Sequence, residues 1–248
     1  GVGKTYYAMW CAHKLTNQNT EGNWLLVQFH QSYRYEDFIE RVVFESGPSG
    51  MTTKVKPMTF VKLCRIAEKN PDKKYVLILD EINRADIPNV FGELLYALEF
   101  RGKEVRLTYS GQPLKVPENI YVLATANSID RGTFEIGVAL RRRFKVHMME
   151  PSKERLVELL ASADTDAREL ALRIFDEVNR LYEIGAHQSG IGELFFRDAK
   201  TIKDMDRLWR YAIRPLVFSF FSALPQTTPT VQGIDKTLME KLRMGKSV

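Results

Sequence analysis

Short apolar runs alternate with helix-like stretches along residues 1–150. The runs predict buried strands because most of their positions are apolar; they are Trp24–Phe29, Tyr75–Leu79, Tyr121–Ala126 and Lys145–Met149. Apolar residues at helical spacing predict helices at Lys4–Lys14, Tyr35–Phe44, Met58–Asn70 and Val90–Phe100, and a short helix that ends at Arg143. The strings VRLTY and PLKV, on either side of a Ser-Gly-Gln turn, predict a β-hairpin. The alternation predicts a parallel sheet with helices on both faces.

The pattern changes near Pro151. Beyond this residue the strand signals disappear, and helical spacing predicts helices at Ser152–Ala161, Asp166–Tyr182, Ile202–Phe221 and Ile234–Leu242. We therefore predict an α/β domain over residues 1–150 and a smaller all-α domain over residues 151–248.

Composition limits the class of protein. Of the 248 residues, 44% are hydrophobic and 27% are charged, which is typical of a globular chain and argues against disorder. No apolar run approaches the roughly 20 residues that cross a bilayer, so no membrane association is expected. Cys11 and Cys64 show no metal or redox spacing, and a reduced, cytoplasmic protein is the simplest account. The net charge of +5 permits contact with nucleic acid without arguing for it.

The first five residues, GVGKT, form the second half of the phosphate-binding pattern G-x-x-x-x-G-K-[ST]. In such a loop the backbone N–H groups of Gly1, Val2 and Gly3 cradle phosphates at a helix N-terminus. Lys4 reaches the β- and γ-phosphates, and the hydroxyl of Thr5 binds Mg²⁺. We expect the first strand of the sheet and the start of the loop to precede residue 1.

An acidic pair follows the clearest buried strand. Asp80 and Glu81 come directly after Val-Leu-Ile-Leu, at the edge where parallel strands end. Asp80 is therefore placed to hold Mg²⁺, and Glu81 to orient and polarise an attacking water. The plain alternative is a strand that ends in two charged turn residues. The phosphate loop upstream, with helix, strand and helix between, favours a nucleotide site.

Two further features lie downstream. Asn127 follows the next strand, where its amide can contact the attacking water or simply cap a turn. Arg142 and Arg143 belong to a run of three arginines, which is either a solvated basic helix end or an arginine finger that neutralises charge on the transferred phosphoryl group. A finger so far from the phosphate loop would serve a neighbouring subunit, and activity would then require an oligomer.

These elements, in this order, resemble the AAA+ ATPase superfamily, and longer strings resemble its McrB-type branch, the motor subunits of modification-dependent restriction systems. The strings are QFHQSYRYEDFIE (Gln28–Glu40), KKYVLILDEINRADIPNVFGELLYALE (Lys73–Glu99), VPENIYVLATANSIDR (Val116–Arg131) and ALRRRF (Ala139–Phe144). A weaker string, Asp198–Leu216, is similar to the family's helical lid. The resemblance implies an AAA+ P-loop NTPase core followed by a smaller all-α lid domain.

The resemblance also implies residue roles and partners. The matching positions are Gly1–Thr5 for the Walker A loop, Asp80 and Glu81 for the Walker B pair, Asn127, Asp130 and Arg131 for the N-x-x-D-R signature, and Arg142 or Arg143 for the finger. Family members use Mg²⁺, prefer GTP to ATP and work as hexameric rings. Their partner, the McrC endonuclease, stimulates the GTPase and cuts DNA that carries modified cytosines, which a domain N-terminal to the motor recognises.

Three functions remain open on the sequence. The first is a GTP-favouring motor that drives a nuclease partner along DNA. The second is an ATP-dependent, MoxR-like remodeller of proteins, which shares the core motifs. The third is a nucleotide-switched scaffold with little turnover, against which Glu81, Asn127 and the arginines argue. The chain also departs from the family pattern, because Ile191–Phe196 stands where the lid usually has a Gly-His-Ser-Tyr-Phe-like stretch.

Overall fold

The computed structural model describes residues 2–17, 23–47, 50–127, 140, 142–185 and 190–244. The strands are β1 (Trp24–Gln28), β2 (Glu40–Gly47), β3 (Gly50–Pro57), β4 (Tyr75–Asp80), β5 (Val105–Arg106), β6 (Pro113–Leu114) and β7 (Ile120–Ala124). The α-helices are α1 (Lys4–Leu15), α2 (Tyr35–Phe38), α3 (Thr59–Glu68), α4 (Ile87–Phe91), α5 (Leu94–Glu99), α6 (Lys153–Leu159), α7 (Thr165–Ile184), α8 (Ile202–Leu208), α9 (Arg214–Phe221) and α10 (Thr227–Met244). Ile82–Arg84 and Glu193–Phe196 are 3-10 turns, and Trp209–Ile213 is π-helical.

The main sheet has three parallel strands in the order β1-β4-β7. Strand β4 lies in the middle, with Leu77 opposite Leu25 on one side and Val122 on the other. All six residues of β4 are buried, as expected for a parallel strand covered on both faces. The predicted α/β class, with a parallel sheet flanked by helices and a helical C-terminal region, is confirmed.

Helices cover both faces of this sheet. On one face, Ala8 and Ala12 of α1 pack with Val76 and Ile78. On the other face, Leu77 and Leu79 join a large core that contains the rings of Phe38, Phe60 and Phe91. Because successive strand residues point to opposite faces, a continuous apolar run serves two cores at once. Each fully buried large side chain contributes about 1.5–3 kcal/mol relative to exposure.

The chain divides into two compact units, which are Lys4–His147 and Met148–Val248 with Gly1–Gly3. The second unit is helical. On α7 the residues Leu170, Ile174, Val178 and Leu181 recur every three or four positions, and all are buried in the core of this unit. Trp209 is fully buried in the same core, and its indole N–H donates to Asp235 Oδ1 at 2.7 Å. Among the described residues, no helix is both long and apolar enough to cross a membrane.

The predicted helix Tyr35–Phe44 is wrong beyond its first turn. The helix ends at Phe38, and β2 begins at Glu40 and pairs antiparallel with β3. Two features favour the strand. The β-branched residues that follow Glu40 prefer strands. The buried Glu40 carboxylate accepts hydrogen bonds from the N–H groups of Tyr109 and Ser110 at 2.5 and 2.9 Å. The connection between two predicted helices is therefore a β-ribbon. The hairpin formed by β5 and β6 is confirmed.

The predicted helix Val90–Phe100 is also wrong as one continuous element. Gly92 separates α4 from α5, and its φ of 48° lies in the left-handed region. A Cβ at this position would lie 3.2 Å from the ring of Tyr35, so glycine suits both the backbone and the packing. Helical spacing continues across the break because the two short helices share one core.

The predicted strand Lys145–Met149 is also wrong, because these residues do not form a strand. Val146 and Met148 are 57% and 51% exposed, and no described strand pairs with the segment. In the helical unit, α10 begins at Thr227, seven residues before its predicted start at Ile234. The predicted helix Ile202–Phe221 is interrupted by the π-helical segment Trp209–Ile213. The predicted short helix before Arg143 lies mostly outside the described residues, and Arg142 and Arg143 themselves are in a turn.

Candidate active site

The end of the phosphate pattern lies at the start of α1. Gly3 has a φ of 78°, which favours glycine, and the helix begins at Lys4. Val2 is buried, and Lys4 and Thr5 form the first turn. The N–H groups of a first helical turn have no intrahelical acceptors, so this end of α1 can receive anionic oxygens. Gly1 lies outside the described residues.

Asp80 is the centre of the polar contacts at this site. It is the last residue of β4 and is 5% exposed. One carboxylate oxygen, Oδ1, accepts two hydroxyl donors, from Thr5 at 2.7 Å and from Thr125 at 2.6 Å. The direct Thr5–Asp80 bond brings the phosphate pattern and the acidic pair to one place, although they are separated by 75 positions in the sequence.

Lys4 is electrostatically coupled to the same acidic pair. Burial lowers its pKa below the ordinary 10.5, because the charged ammonium loses hydration. The negative charges of Glu81 and Asp80 act in the opposite direction and raise this pKa. A half-buried cation facing two carboxylates is an arrangement that a triphosphate, which carries its own negative charge, can enter.

Glu81 is held in an unusual backbone conformation. Its φ of 57° and ψ of 43° lie in the left-handed region, which is uncommon for a residue with a side chain. Its N–H donates to Thr125 Oγ1 at 3.1 Å, and its Oε1 accepts from the Asn127 side-chain amide. Its Oε2 lies 3.3 Å from Arg84 Nε, an ion-pair distance without hydrogen-bond geometry. Several groups therefore fix the direction of this carboxylate.

Asn127 is fixed by a reciprocal pair of bonds with Asn83. The Asn127 N–H donates to Asn83 Oδ1 at 3.2 Å, and Asn83 Nδ2 donates to the Asn127 carbonyl at 3.4 Å. Because the backbone of Asn127 is held in this way, its side chain is directed at Glu81. The two side chains can therefore hold one water between them and a phosphate at the end of the sheet.

The residues present fit a magnesium ion. Mg²⁺ prefers oxygen ligands, keeps several waters, and in nucleotide sites uses only one or two protein side chains. The Thr5 hydroxyl and the Asp80 carboxylate are adjacent oxygen donors at the start of α1. No cluster of three or more His, Cys, Asp or Glu occurs within the described ranges, so a cation held entirely by such side chains is not found there.

The two candidate fingers differ in environment. Arg143 Nε donates to the Leu95 carbonyl at 2.6 Å, and its Nη2 lies 2.6 Å from Glu99 Oε2. Arg142 is exposed. Neither arginine contacts Lys4 or the acidic pair through any bond between described residues. The predicted nucleotide contacts Asp130 and Arg131 lie outside the described residues.

Sequence reasoning missed three side chains of the site, namely Thr125, Asn83 and Arg84. Thr125 lies in the apolar string YVLATA, where a threonine is typical of an ordinary strand and does not indicate a site residue. Its signal is its position, because it follows β7 at the same sheet edge as Asp80. Asn83 and Arg84 lie in a 3-10 turn directly after Glu81, within the longer string that carries the family resemblance.

This chain is similar to a known protein family and to a subunit of a restriction enzyme. A family model described as an AAA domain (dynein-related subfamily) matches residues 1–144. The chain belongs to this AAA family. It is 42% identical to the "Type IV methyl-directed restriction enzyme EcoKMcrB subunit" of Escherichia coli (strain K12), over 61% of this chain and 34% of that protein. The resemblance to McrB-type AAA+ proteins is thereby confirmed.

A second relative also comes from a restriction system. The AAA chain is 25% identical to the "Type II restriction enzyme BsuMI component YdiS" of Bacillus subtilis (strain 168), over 62% of this chain and 56% of that protein. The chain thus spans about one third and just over half of these two relatives. A solved structure of an ATPase candidate from Cytophaga hutchinsonii ATCC 33406 is 18% identical, covers 84% of this chain and 67% of its own, and has a TM-score of 0.37.

Proposed function

We propose that this AAA chain is the motor region of a restriction-associated nucleoside triphosphatase that favours GTP. One observation carries the proposal, namely that Thr5, Asp80, Glu81 and Asn127 are joined through Thr125 into one connected set of hydrogen bonds beside Lys4. The set contains a cation for phosphates, oxygen donors for Mg²⁺ and a carboxylate–amide pair for water. Residues 1–150 form the NTPase core in this proposal, and residues 151–248 form the lid.

The start of α1 binds the triphosphate. Lys4 lies against the β- and γ-phosphate oxygens, and N–H groups at Val2, Gly3 and the first helical turn donate to them. Thr5 and Asp80 would hold Mg²⁺, which would supply positive charge to offset the negative charge of the phosphates. Asp130 and Arg131 contact the nucleotide if they act as the family signature implies.

Glu81 and Asn127 act on the attacking water. Glu81 accepts a hydrogen bond from the water and polarises it, and Asn127 fixes the direction of the carboxylate. The water oxygen forms a bond to the γ-phosphorus, and the bond from that phosphorus to the β–γ bridging oxygen breaks. The nucleoside diphosphate leaves with the electron pair, and the proton passes through Glu81 to the released phosphate.

The proposal includes a ring of subunits. Arg142 or Arg143 of a neighbouring subunit neutralises charge on the transferred phosphoryl group, an effect worth about 10³–10⁵ in rate. The printed names of the relatives, a methyl-directed restriction enzyme subunit and a restriction enzyme component, support a restriction context. In this context the chain assembles as a cytoplasmic hexamer and acts on DNA with an McrC-like endonuclease subunit.

A hydrolysis assay tests the proposal. Released phosphate is measured with GTP and with ATP at equal concentration, with and without the co-encoded nuclease. We expect faster hydrolysis of GTP and stimulation by the nuclease. Faster hydrolysis of ATP would instead favour a MoxR-like remodeller, and tight binding with negligible turnover of both nucleotides would favour an assembly scaffold.

A further inference from the structure

The two neighbouring arginines of the predicted finger are held differently. The Arg143 side chain is 15% exposed, and its guanidinium group contacts both the Leu95 carbonyl and the Glu99 carboxylate at 2.6 Å. The Arg142 side chain is exposed and has no hydrogen bond or ion pair with any residue of the described ranges. A guanidinium that is already committed to two acceptors in its own subunit is a poor finger for another subunit.

Helix α5 is a rigid support for this contact. Leu94 and Ala97 are fully buried in the main core, so the helix cannot move without opening that core. Leu95 and Glu99 are four residues apart, which places them one above the other on one face of a helix. The planar fork of Arg143 spans this single turn and bonds to the backbone and to a charge at the same time.

The turn that carries both arginines is closed by its backbone. The N–H groups of Arg143 and Phe144 both donate to the Leu140 carbonyl, at 2.9 and 3.0 Å. Leu140 is buried in the main core, and Phe144 packs against it. A residue between these anchors, Arg142, is therefore held at the surface in a defined direction.

We propose that Arg143 is a positioning residue, which clamps this turn to α5 so that Arg142 is presented as the finger to a neighbouring subunit. The inference rests on the proposed function, because it assumes hydrolysis completed across a subunit boundary. The inference gives different roles to two arginines that the sequence alone does not distinguish. Glu99 also helps to position the turn, although it lies far from Arg142 in the sequence.

The test uses the intact, assembled protein and compares steady-state turnover of four single variants and one double variant. Arg142→Ala lowers kcat by at least about 10³-fold, as expected for loss of a finger. Arg143→Ala lowers kcat by about 10²-fold through misplacement of Arg142, with the KM for nucleotide unchanged. Glu99→Gln lowers kcat in the same direction, and adding it to Arg143→Ala causes no further loss, since both remove one interaction. Glu104→Gln, at an exposed glutamate five positions later, leaves turnover unchanged.

Two controls separate the possible outcomes. Size-exclusion chromatography confirms assembly, and Arg143→Lys, which keeps the charge without the fork, covers the case in which Arg143→Ala fails to fold. If Glu99→Gln maintains or raises turnover while Arg142→Ala keeps wild-type turnover, then Arg143 is itself the finger and the inference is overturned. If wild-type protein hydrolyses neither GTP nor ATP, the proposed function fails first, whatever the arginine variants do.

Discussion

Removing the hydroxyl of Thr125 perturbs both members of the acidic pair at once. Thr125 Oγ1 donates to Asp80 at 2.6 Å and accepts the Glu81 N–H at 3.1 Å, and the residue is only 7% exposed. Thr125→Val keeps the shape of the side chain but can make neither bond. The Asp80 carboxylate and the Glu81 N–H then lose a partner inside the protein, where water does not replace it fully.

The expected cost follows from these two bonds. A hydrogen bond to a charged acceptor contributes about 1.5–3 kcal/mol, and a neutral one about 0.5–1.5 kcal/mol. Together they predict a loss of about 2–4.5 kcal/mol for Thr125→Val. Thr125→Ser keeps the hydroxyl and removes one methyl group, which costs about 0.8 kcal/mol. Thr125→Val should therefore be clearly less stable than Thr125→Ser, although valine is the more hydrophobic residue.

This prediction is tested by measuring Tm in a calorimeter and by measuring nucleotide turnover. In a protein of this size 1 kcal/mol shifts Tm by about 2–4 °C, and the shift should appear in the transition of the unit that contains Thr125. Turnover should fall with Thr125→Val, because Glu81 loses a bond that fixes its backbone, and survive with Thr125→Ser. Thr53→Val, at an exposed strand position, is the matched control. Equal Tm and turnover for Thr125→Val and Thr53→Val would refute the reasoning.

Further predictions concern charge at the site and the β-ribbon. Glu81→Gln should abolish turnover while nucleotide affinity, measured by fluorescence titration, is retained; unchanged turnover would remove Glu81 from the mechanism. Since burial lowers the Lys4 pKa, nucleotide affinity should fall at high pH before exposed lysines lose their protons. Lys4→Arg should remove this alkaline loss. Glu40→Gln weakens the bonds from Tyr109 and Ser110, and should lower Tm by several degrees without changing the affinity for nucleotide; an unchanged Tm would contradict the assigned contact.

The parallel sheet could be predicted because its signal is local. A strand covered on both faces must be apolar at almost every position, and Tyr75–Asp80 is such a run. The acidic pair could be placed at the sheet edge for the same reason, since the apolar run ends at Asp80. Knowledge of where one strand ends therefore located half of the candidate site.

The errors in the fold arose where distant contacts outweigh local preference. Residues Tyr35–Phe44 carry a helical spacing of apolar positions, but Glu40 accepts N–H groups from a hairpin some seventy residues later. At Gly92, where the helix breaks, a side chain would meet the ring of Tyr35, which also lies far away in the sequence. Neither contact can be read from a window of ten to fifteen residues.

The role of Thr125 shows why the site itself was only half predictable. A threonine beside an alanine in an apolar strand carries no chemical signal, and it gains one only through the pairing of β7 with β4. That register puts its hydroxyl between the carboxylate of Asp80 and the N–H of Glu81. The left-handed backbone of Glu81 is costly; Thr125 bonds to the N–H of this residue, while Asn127 and Arg84 contact its carboxylate. Residues that perform chemistry are thus recognisable by type, whereas residues that aim them are recognisable only by their neighbours.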